Sequence, residues 1–178
     1  MQAEKLQDIL RRLLTSLGLP FENIVVSADQ DGLTRVDIFS PVPSRIIGWH
    51  GETLNALQLL VKSIVRTEEK LDRSPFIVLD VDGYRRAQEE KVCKIAEQKA
   101  DFVRRTGSRI ALAPMSPYFR RIVHLHVAHN PALADLTTES VGEGEYRQIV
   151  MRLKEEKSSG EELSPVLVEE EGLENLDV

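Results

Sequence analysis

The C-terminal part of the sequence most constrains what this chain can fold into, because it cannot supply a hydrophobic core. Residues 155–178 carry nine acidic side chains and one basic side chain, a net charge of −8. From Lys154 onward the segment has too few apolar groups to offset the conformational entropy that folding removes. We therefore predict a disordered acidic tail over residues 154–178. Its apolar island, residues 165–168, is interpreted as a less polar stretch of the same disorder rather than as a docking segment.

The charge of the remaining chain is unevenly distributed. The whole sequence has a net charge of −6, so the part before residue 155 carries +2. Residues 84–121 hold ten basic and four acidic side chains, a local excess that suits a polyanionic partner. On charge alone, a solvated helix face explains this excess equally well.

Length and composition exclude several classes of protein. A chain of 178 residues with 42% hydrophobic content buries one modest core or two small ones. No apolar run approaches the roughly 18 residues that a membrane helix needs, and charged residues interrupt the leucines of the N-terminus, so neither a membrane span nor a signal peptide is predicted. The single cysteine, Cys93, cannot form an internal disulfide. It favours a reducing compartment, for which the cytoplasm is the natural assignment.

Residues 1–82 predict one α+β unit. A helical apolar stripe ends at Gly18, and a hairpin follows around the turn at Gly32. A short helix and a glycine-bounded loop then lead to a second amphipathic helix and a buried strand. The predicted helices and strands of this unit occupy residues 6–17, 24–26, 36–39, 54–64 and 76–81.

Residues 83–153 predict a second, smaller α+β unit. A long basic helix turns Val92, Ala96, Ala100 and Val103 inward, and a later helix begins with Ser116 as its N-cap. A hairpin closes the unit. The predicted helices and strands occupy residues 83–105, 110–112, 117–130, 137–141 and 146–153.

A short loop with glycine at both ends precedes the second helix of the first unit, and it consists of Gly48, Trp49, His50 and Gly51. Glycine lets the backbone approach a sugar-phosphate chain, and the following helix N-terminus offers free N–H groups. A plain tight turn is the other interpretation. The string Ile-Ile-Gly-x-x-Gly-x-Thr-Leu over residues 46–54, in this order of elements, resembles a KH domain of the second topological type. That resemblance implies binding of single-stranded RNA at the loop.

The residues between the two glycines differ from the usual KH loop, which carries Lys or Arg there. Trp49 is a candidate for stacking on a base, and equally for packing against a core or a partner. His50 accompanies it in the loop. Arg45 and Lys62 are candidates for positive charge along the groove, although ordinary surface residues have the same appearance in a sequence.

The second candidate site lies on the later helix, where Arg120 and His124 are four residues apart and share one face. Arg121 lies in the same polar arc. A guanidinium beside an imidazole can hold adjacent phosphate oxygens, although two ordinary exposed residues have the same spacing. His126 falls within the apolar arc and is interpreted as a core histidine.

A longer string around this helix is more specific than the pair. Residues 114–125 read Pro-Met-Ser-Pro-Tyr-Phe-Arg-Arg-Ile-Val-His-Leu, and residues 138–142 read Thr-Glu-Ser-Val-Gly ahead of Arg147. Together they resemble an R-three-H domain. Because this domain follows a KH-like unit, residues 1–152 are similar to the bacterial Jag family, also called KhpB or SpoIIIJ-associated proteins. Compared with that family, the sequence is expected to begin at the KH helix, without the N-terminal Jag domain.

The resemblance implies a cytoplasmic RNA-binding protein with a small KH-only partner protein, the KhpA type. In some members it implies a role in cell elongation and division. It also implies that Ser140 and Arg147 lie beside the motif helix and contribute to binding.

Enzymatic functions are not predicted, because the P-loop, the G-x-S-x-G motif and the H-E-x-x-H motif are missing. Asp80 and Asp82 are interpreted as solvated acids, and Cys93 as a small core residue. The predicted function is binding of single-stranded RNA as a post-transcriptional regulator or RNA chaperone, with no cofactor and no metal site. The alternatives are binding of single-stranded DNA and a protein–protein adaptor with degenerate RNA binding.

Overall fold

The computed structural model describes residues 3–28 and 32–154, together with the backbone of residues 166 and 167. The chain forms two compact units, Met1–Ala87 and Gln88–Val178. The boundary lies a few residues beyond the one expected after residue 82. The physical reason is that the first turn of the long helix α4 (Tyr84–Thr106) is hydrogen-bonded to the first unit. The α+β fold class is confirmed.

The first unit contains the predicted order of helices and strands around a three-stranded sheet. Strand β2 lies in the middle, antiparallel to β1 and parallel to β3. A single 3-10 turn, Trp49–Gly51, separates the second and third helices. The elements are α1 (Ala3–Ser16), β1 (Asn23–Ala28), β2 (Thr34–Phe39), α2 (Pro43–Ile47), α3 (Glu52–Glu68) and β3 (Ile77–Val81).

Apolar stripes on α1 and α3 form the core of this unit with the sheet. The buried stripe of α1 is Leu6, Ile9, Leu10 and Leu14, as helical spacing predicts. Leu17 was expected in the same stripe but is exposed, because α1 ends at Ser16. All five residues of β3 are buried.

A buried carboxylate joins β3 to the start of α4, and the interpretation of Asp80 as a solvated acid is wrong. Asp80 is fully buried, and its Oδ1 accepts the backbone N–H of Arg85 at 2.8 Å. Its Oδ2 accepts the backbone N–H of Arg86 at 3.3 Å and lies 3.6 Å from the guanidinium of Arg35. The helix N-terminus and the guanidinium compensate the cost of burying the charge. Asp82, in contrast, is exposed.

The second unit packs α4 and α5 against a four-stranded sheet. The sheet order is β5-β6-β4-β7, with β4 and β5 both antiparallel to β6. Single 3-10 turns, Pro131–Leu133 and Gly144–Tyr146, lie before and after β5. After α4, the elements are β4 (Ile110–Ala111), α5 (Pro117–His129), β5 (Leu136–Val141), β6 (Gln148–Leu153) and β7 (Val166–Leu167).

The core of the second unit confirms the predicted inward face of α4. Its buried residues are Val92, Ala96, Ala100 and Val103. Cys93 was expected in the core but is only half-buried, since it lies beside Val92 at the rim of that face. Burial and the nearby Glu97, Glu89 and Glu90 raise the pKa of its thiol. No described helix is both long and apolar enough to cross a membrane.

His126 is not the core histidine that the sequence suggested. The buried face of α5 is centred on Phe119, Val123 and Val127, which recur every four residues. His126 therefore lies at the edge of that face, half-buried, with its Nε2 2.9 Å from Oε1 of Glu97 on α4.

The predicted acidic tail lies mostly outside the described residues, which omit residues 155–165 and 168–178. Within the tail, Val166 and Leu167 form β7 and pair in parallel with Ile110 and Ala111 of β4. At these two residues the expectation of irregular chain is wrong. The physical reason is that β4 would otherwise leave its backbone N–H and C=O groups unpaired along one edge.

Candidate functional site

A shallow depression on the second unit brings together the side chains that the sequence singled out there. Helix α5, strand β5 and Arg147, the residue before β6, surround a volume of about 450 Å³. Its lining includes all five predicted residues of this unit: Arg120, Arg121, His124, Ser140 and Arg147.

Local sequence rules explain how these side chains reach one place. Ser116 occupies the N-cap position of α5 with Pro117 at the first helical position, although the Ser116 side chain makes no capping hydrogen bond. Arg120 and His124 then lie one turn apart on the same face of α5. Strand alternation places Thr138 and Ser140 on the same face of β5.

Arg120 is the most unusual side chain of the depression. It is half-buried, and within the described residues its Nη1 atom is buried without a hydrogen-bond partner. Burial and the neighbouring Arg147 lower the pKa of its guanidinium. A buried donor without an acceptor costs about 1 to 3 kcal/mol, so an anionic oxygen placed here would be stabilised.

His124 is held by a residue that the sequence analysis did not select. Its Nδ1 lies 2.7 Å from Oγ1 of Thr138. Burial, followed by the charge of Arg120, lowers the pKa of the imidazole. The ring is half-buried rather than solvent-facing, and it is mainly neutral near pH 7. The period of two along β5, which puts Thr138 on the same face as Ser140, was the signal that could have identified it.

Arg147 is fixed by the opposite wall of the depression. Its Nε donates a hydrogen bond to Oγ of Ser140 at 3.0 Å. The hairpin between them closes tightly at Gly142, which has φ +95°. A Cβ atom there would lie 3.0 Å from the backbone oxygen of Tyr146 and 3.3 Å from Cα of Arg147. Glycine at this position therefore lets Arg147 reach the depression.

In the first unit, both glycines of the loop of residues 48–51 have a positive φ, which favours glycine. At Gly48 a side chain would also clash with a neighbouring residue. Gly48 has φ +74°, and a Cβ atom there would lie 2.1 Å from Oγ1 of Thr53. Gly51 has φ +92° and lies immediately before α3. His50 between them has φ +49°, which is uncommon for a residue with a side chain.

Trp49 projects into solvent, with 76% of its surface exposed. Its ring meets the ring of His50 edge-on at 4.5 Å between centroids. The interpretation as a core-packed indole is therefore wrong. An exposed indole on a glycine-bounded loop is available to stack on a planar group.

A partly buried hydrogen-bond chain supports this loop, and its members Asn55 and Arg85 were also missed by the sequence analysis. Asn55 Nδ2 donates to the carbonyl oxygen of Gly51 at 2.6 Å, and its Oδ1 accepts from Nη2 of Arg85 at 2.8 Å. Lys62 lies two turns after Asn55 on α3. Burial and the charge of Arg85 lower the pKa of its ammonium group.

Arg45 is not joined to this arrangement. Its side chain is exposed, and in the part of the chain that the structure describes it makes no hydrogen bond or ion pair. Its placement on α2, three residues before Gly48, remains the only link to the loop.

Known proteins are similar to this chain at two levels, the second unit and most of the chain. The model of the R-three-H domain matches residues 90–153. The RNA-binding protein KhpB of Clostridium symbiosum is 34% identical over 155 residues, which cover 86% of this chain and 67% of that protein. The proteins of the same name from Lactiplantibacillus plantarum and from Streptococcus pneumoniae serotype 2 are 33% and 29% identical over 109 residues, 61% of this chain.

The matched residues amount to 32% of the length of each of the last two proteins, so this chain corresponds to part of them. The match to the Clostridium symbiosum protein extends over most of this chain and two thirds of that relative. With the R-three-H domain in the second unit, it shows that the chain belongs to the Jag family, also called KhpB.

Proposed function

We propose that this chain binds single-stranded RNA, with the depression on the second unit as its main phosphate-binding surface. The observation that carries the proposal is that Arg120, Arg121, His124 and Arg147 line one open depression, and the Nη1 donor of Arg120 has no acceptor within the described residues. The charge of Arg147 lowers the pKa of Arg120, so these two neighbouring cations would be stabilised by an anion, and the half-buried His124 adds an imidazole beside them. The relatives that match this chain are named RNA-binding proteins.

The open form of the depression favours a nucleic-acid backbone over a small ligand. Small-molecule sites enclose most of their ligand and are lined mainly by apolar side chains. Here guanidinium, imidazole and hydroxyl groups, together with Pro117 and Leu125, line a shallow and open surface that would leave a small ligand exposed. Such a surface suits a phosphodiester that continues in both directions along a strand.

We infer that the first unit acts as a KH-type second surface. Its order of elements and its mixed sheet agree with that assignment, and its glycine loop leads directly into α3. The contact there differs from a lysine-bearing loop, since Trp49 and His50 supply aromatic rings instead of charge. Base stacking on Trp49 is therefore the proposed contribution of this loop.

We assign no catalytic step to either surface. At the level of the cell, the family supports a role as a post-transcriptional regulator or RNA chaperone in the cytoplasm. A small KH-only partner protein and a link to cell elongation and division belong to the same proposal.

The direct test is Arg120→Ala, measured by anisotropy with a labelled single-stranded RNA at several salt concentrations. We expect weaker binding and a salt slope reduced by about 0.7, the value for one phosphate contact to a single strand. Arg105→Ala is the matched control, because Arg105 is an exposed arginine of the same unit outside the depression. It removes the same charge and is expected to have a smaller effect.

The outcome decides between the alternatives. If Arg120→Ala retains the affinity and salt slope of the parent, the depression does not bind the strand. If the parent itself fails to bind RNA at low salt, the adaptor function is favoured. If single-stranded DNA of the same sequence binds with equal affinity, the protein binds single strands without preference for RNA.

A further inference from the structure

An exposed tyrosine stands next to the depression and has no part in the phosphate contacts. Tyr146 is 82% exposed, the largest exposure among the large hydrophobic side chains that the structure describes. It ends the 3-10 turn Gly144–Tyr146 and immediately precedes Arg147, which lines the depression. Because the ring of Tyr146 is so exposed, it does not contribute to the hydrophobic core.

The backbone that carries this ring is closely constrained. The last pair of the β5–β6 ladder joins Val141 to Gln148, so only a short segment separates Tyr146 from regular sheet. Gly142 packs directly beneath it, where an added Cβ would lie 3.0 Å from the Tyr146 carbonyl oxygen. Arg147 is anchored in turn by its hydrogen bond to Ser140. Tyr146 is thus presented from a fixed position relative to the arginine.

The chemistry around the hairpin indicates which part of a nucleotide reaches it. The Cα atoms of Tyr146 and Arg147 are about 3.8 Å apart, as in any trans-linked pair. Because Tyr146 is exposed and directly precedes Arg147, a nucleotide whose phosphate contacts Arg147 can place its base against the tyrosine ring. Glu139 and Glu143 are both exposed on the same hairpin and would repel a second phosphate. An uncharged, planar base is the part that fits.

We propose that Tyr146 forms a nucleobase-stacking subsite, which receives the base of the nucleotide whose phosphate lies in the adjoining depression. The inference rests on the proposed binding of single strands by that depression. The second unit would then contact both parts of one nucleotide: Arg147 would bind the phosphate and Tyr146 would stack on the base. Because every base has a π-face, the subsite tolerates any sequence.

The test compares the effect of changing Tyr146 on binding of a strand with bases and of a strand without bases. Two labelled strands of equal length are compared, one a short RNA of mixed sequence and the other a ribose-phosphate strand without bases. Tyr146→Ala is expected to weaken binding of the RNA by about 5- to 150-fold, the range for one lost stacking contact. It should leave binding of the base-free strand and the salt slope unchanged. Tyr146→Phe should retain the affinity for RNA, since the ring remains.

The outcomes separate this inference from the proposal on which it rests. Arg120→Ala is expected to weaken binding of both strands. If Arg120→Ala weakens binding of both strands but Tyr146→Ala binds RNA as tightly as the parent, the proposed stacking subsite is wrong. Phosphate binding by the depression is then still supported. Equal losses of Tyr146→Ala on both strands would also overturn the subsite. If Arg120→Ala changes neither strand, or the parent binds neither, the phosphate surface and the subsite both fall.

Discussion

At the scale of single residues, the surroundings of a side chain determine its charge state in the proposed site. His124 has an ordinary spacing from Arg120, yet burial and that arginine lower its pKa. The hydroxyl of Thr138 at 2.7 Å is able to accept from or donate to the ring. A neutral ring with Nδ1 accepting from this hydroxyl carries its proton on Nε2, where it can be donated to a phosphate oxygen. We therefore expect His124 to act as a neutral donor rather than as a cation.

The pKa of His124 has a consequence for stability. Since the folded pKa lies below the unfolded value of about 6.5, the unfolded chain binds this proton more readily. The stabilising contribution is complete above about pH 6.5 and is lost as the pH falls toward the folded pKa. The free energy of unfolding should therefore decrease over that window, and His124→Gln should reduce the decrease. Urea unfolding of both proteins at several pH values measures this difference.

Two identical pH profiles in that experiment would contradict the prediction. The variant leaves His126 and its partner Glu97 in place, so the contact between them is common to both proteins. The difference between the profiles consequently reports on His124 alone.

At the scale of elements, the glycine loop combines a backbone that tolerates little change with two exposed side chains, Trp49 and His50. Gly48 cannot accept a Cβ without displacing Thr53, and its φ is positive. Gly48→Ala should therefore destabilise the unit, by about 1 kcal/mol or more. If a glycine variant bound RNA more weakly, the loss could come from unfolding as well as from a lost contact with RNA. The exposed positions 49 and 50 avoid this problem.

Trp49→Asp combined with His50→Asp is expected to weaken RNA binding while leaving the melting temperature near that of the parent. Trp49 is mostly exposed, and aspartate is among the residues that adopt the positive φ of His50 most readily. The change removes a stacking ring and adds two negative charges where a strand would approach. Melting curves and anisotropy titrations on the same preparations provide the two measurements.

A matched control for that variant carries the same two charges away from the loop, as Leu71→Asp with Ser74→Asp. Both of these residues are exposed in the segment after α3. If the control and the loop variant lose equal affinity, the effect is one of net charge and the loop is not a binding surface.

At the scale of the whole molecule, charge is divided between a basic region and an acidic C-terminal segment. Residues 155–178 carry −8 against +2 for the rest of the chain. Opposite charges on one chain attract at low ionic strength and are screened within about 10 Å at 0.1 M salt. The segment is therefore expected to compete with RNA for basic side chains.

The prediction is that replacing the acids of residues 155–178 by their amides tightens RNA binding, most strongly at low salt. This variant keeps Val166 and Leu167, whose pairing with β4 would be lost in a deletion. The comparison is made by anisotropy over a range of salt concentrations. Equal affinities of the two proteins at low salt would show that the segment does not compete.

Much of the fold was predictable because local rules determined it. The helical stripes of α1 and α4, the antiparallel pairing of β1 with β2, and the start of α5 at Pro117 were all expected and are confirmed. Of the site residues, Arg120, Arg121, His124, Ser140 and Arg147 do share one depression. Arg45 has no described side-chain contact that links it to the glycine loop.

The sequence by itself determined most of the helices and strands and which face of each is apolar, since periodicity and capping act over a few neighbouring residues. Strand β7, which depends on pairing with the distant β4, was not among them. Only the tertiary structure decided the environment of polar side chains, because that depends on residues distant in sequence. Asp80 is buried against the start of α4, Thr138 holds His124, and Asn55 ties the loop to Arg85. The same reason explains why the unpaired donor of Arg120 appears only in the folded chain.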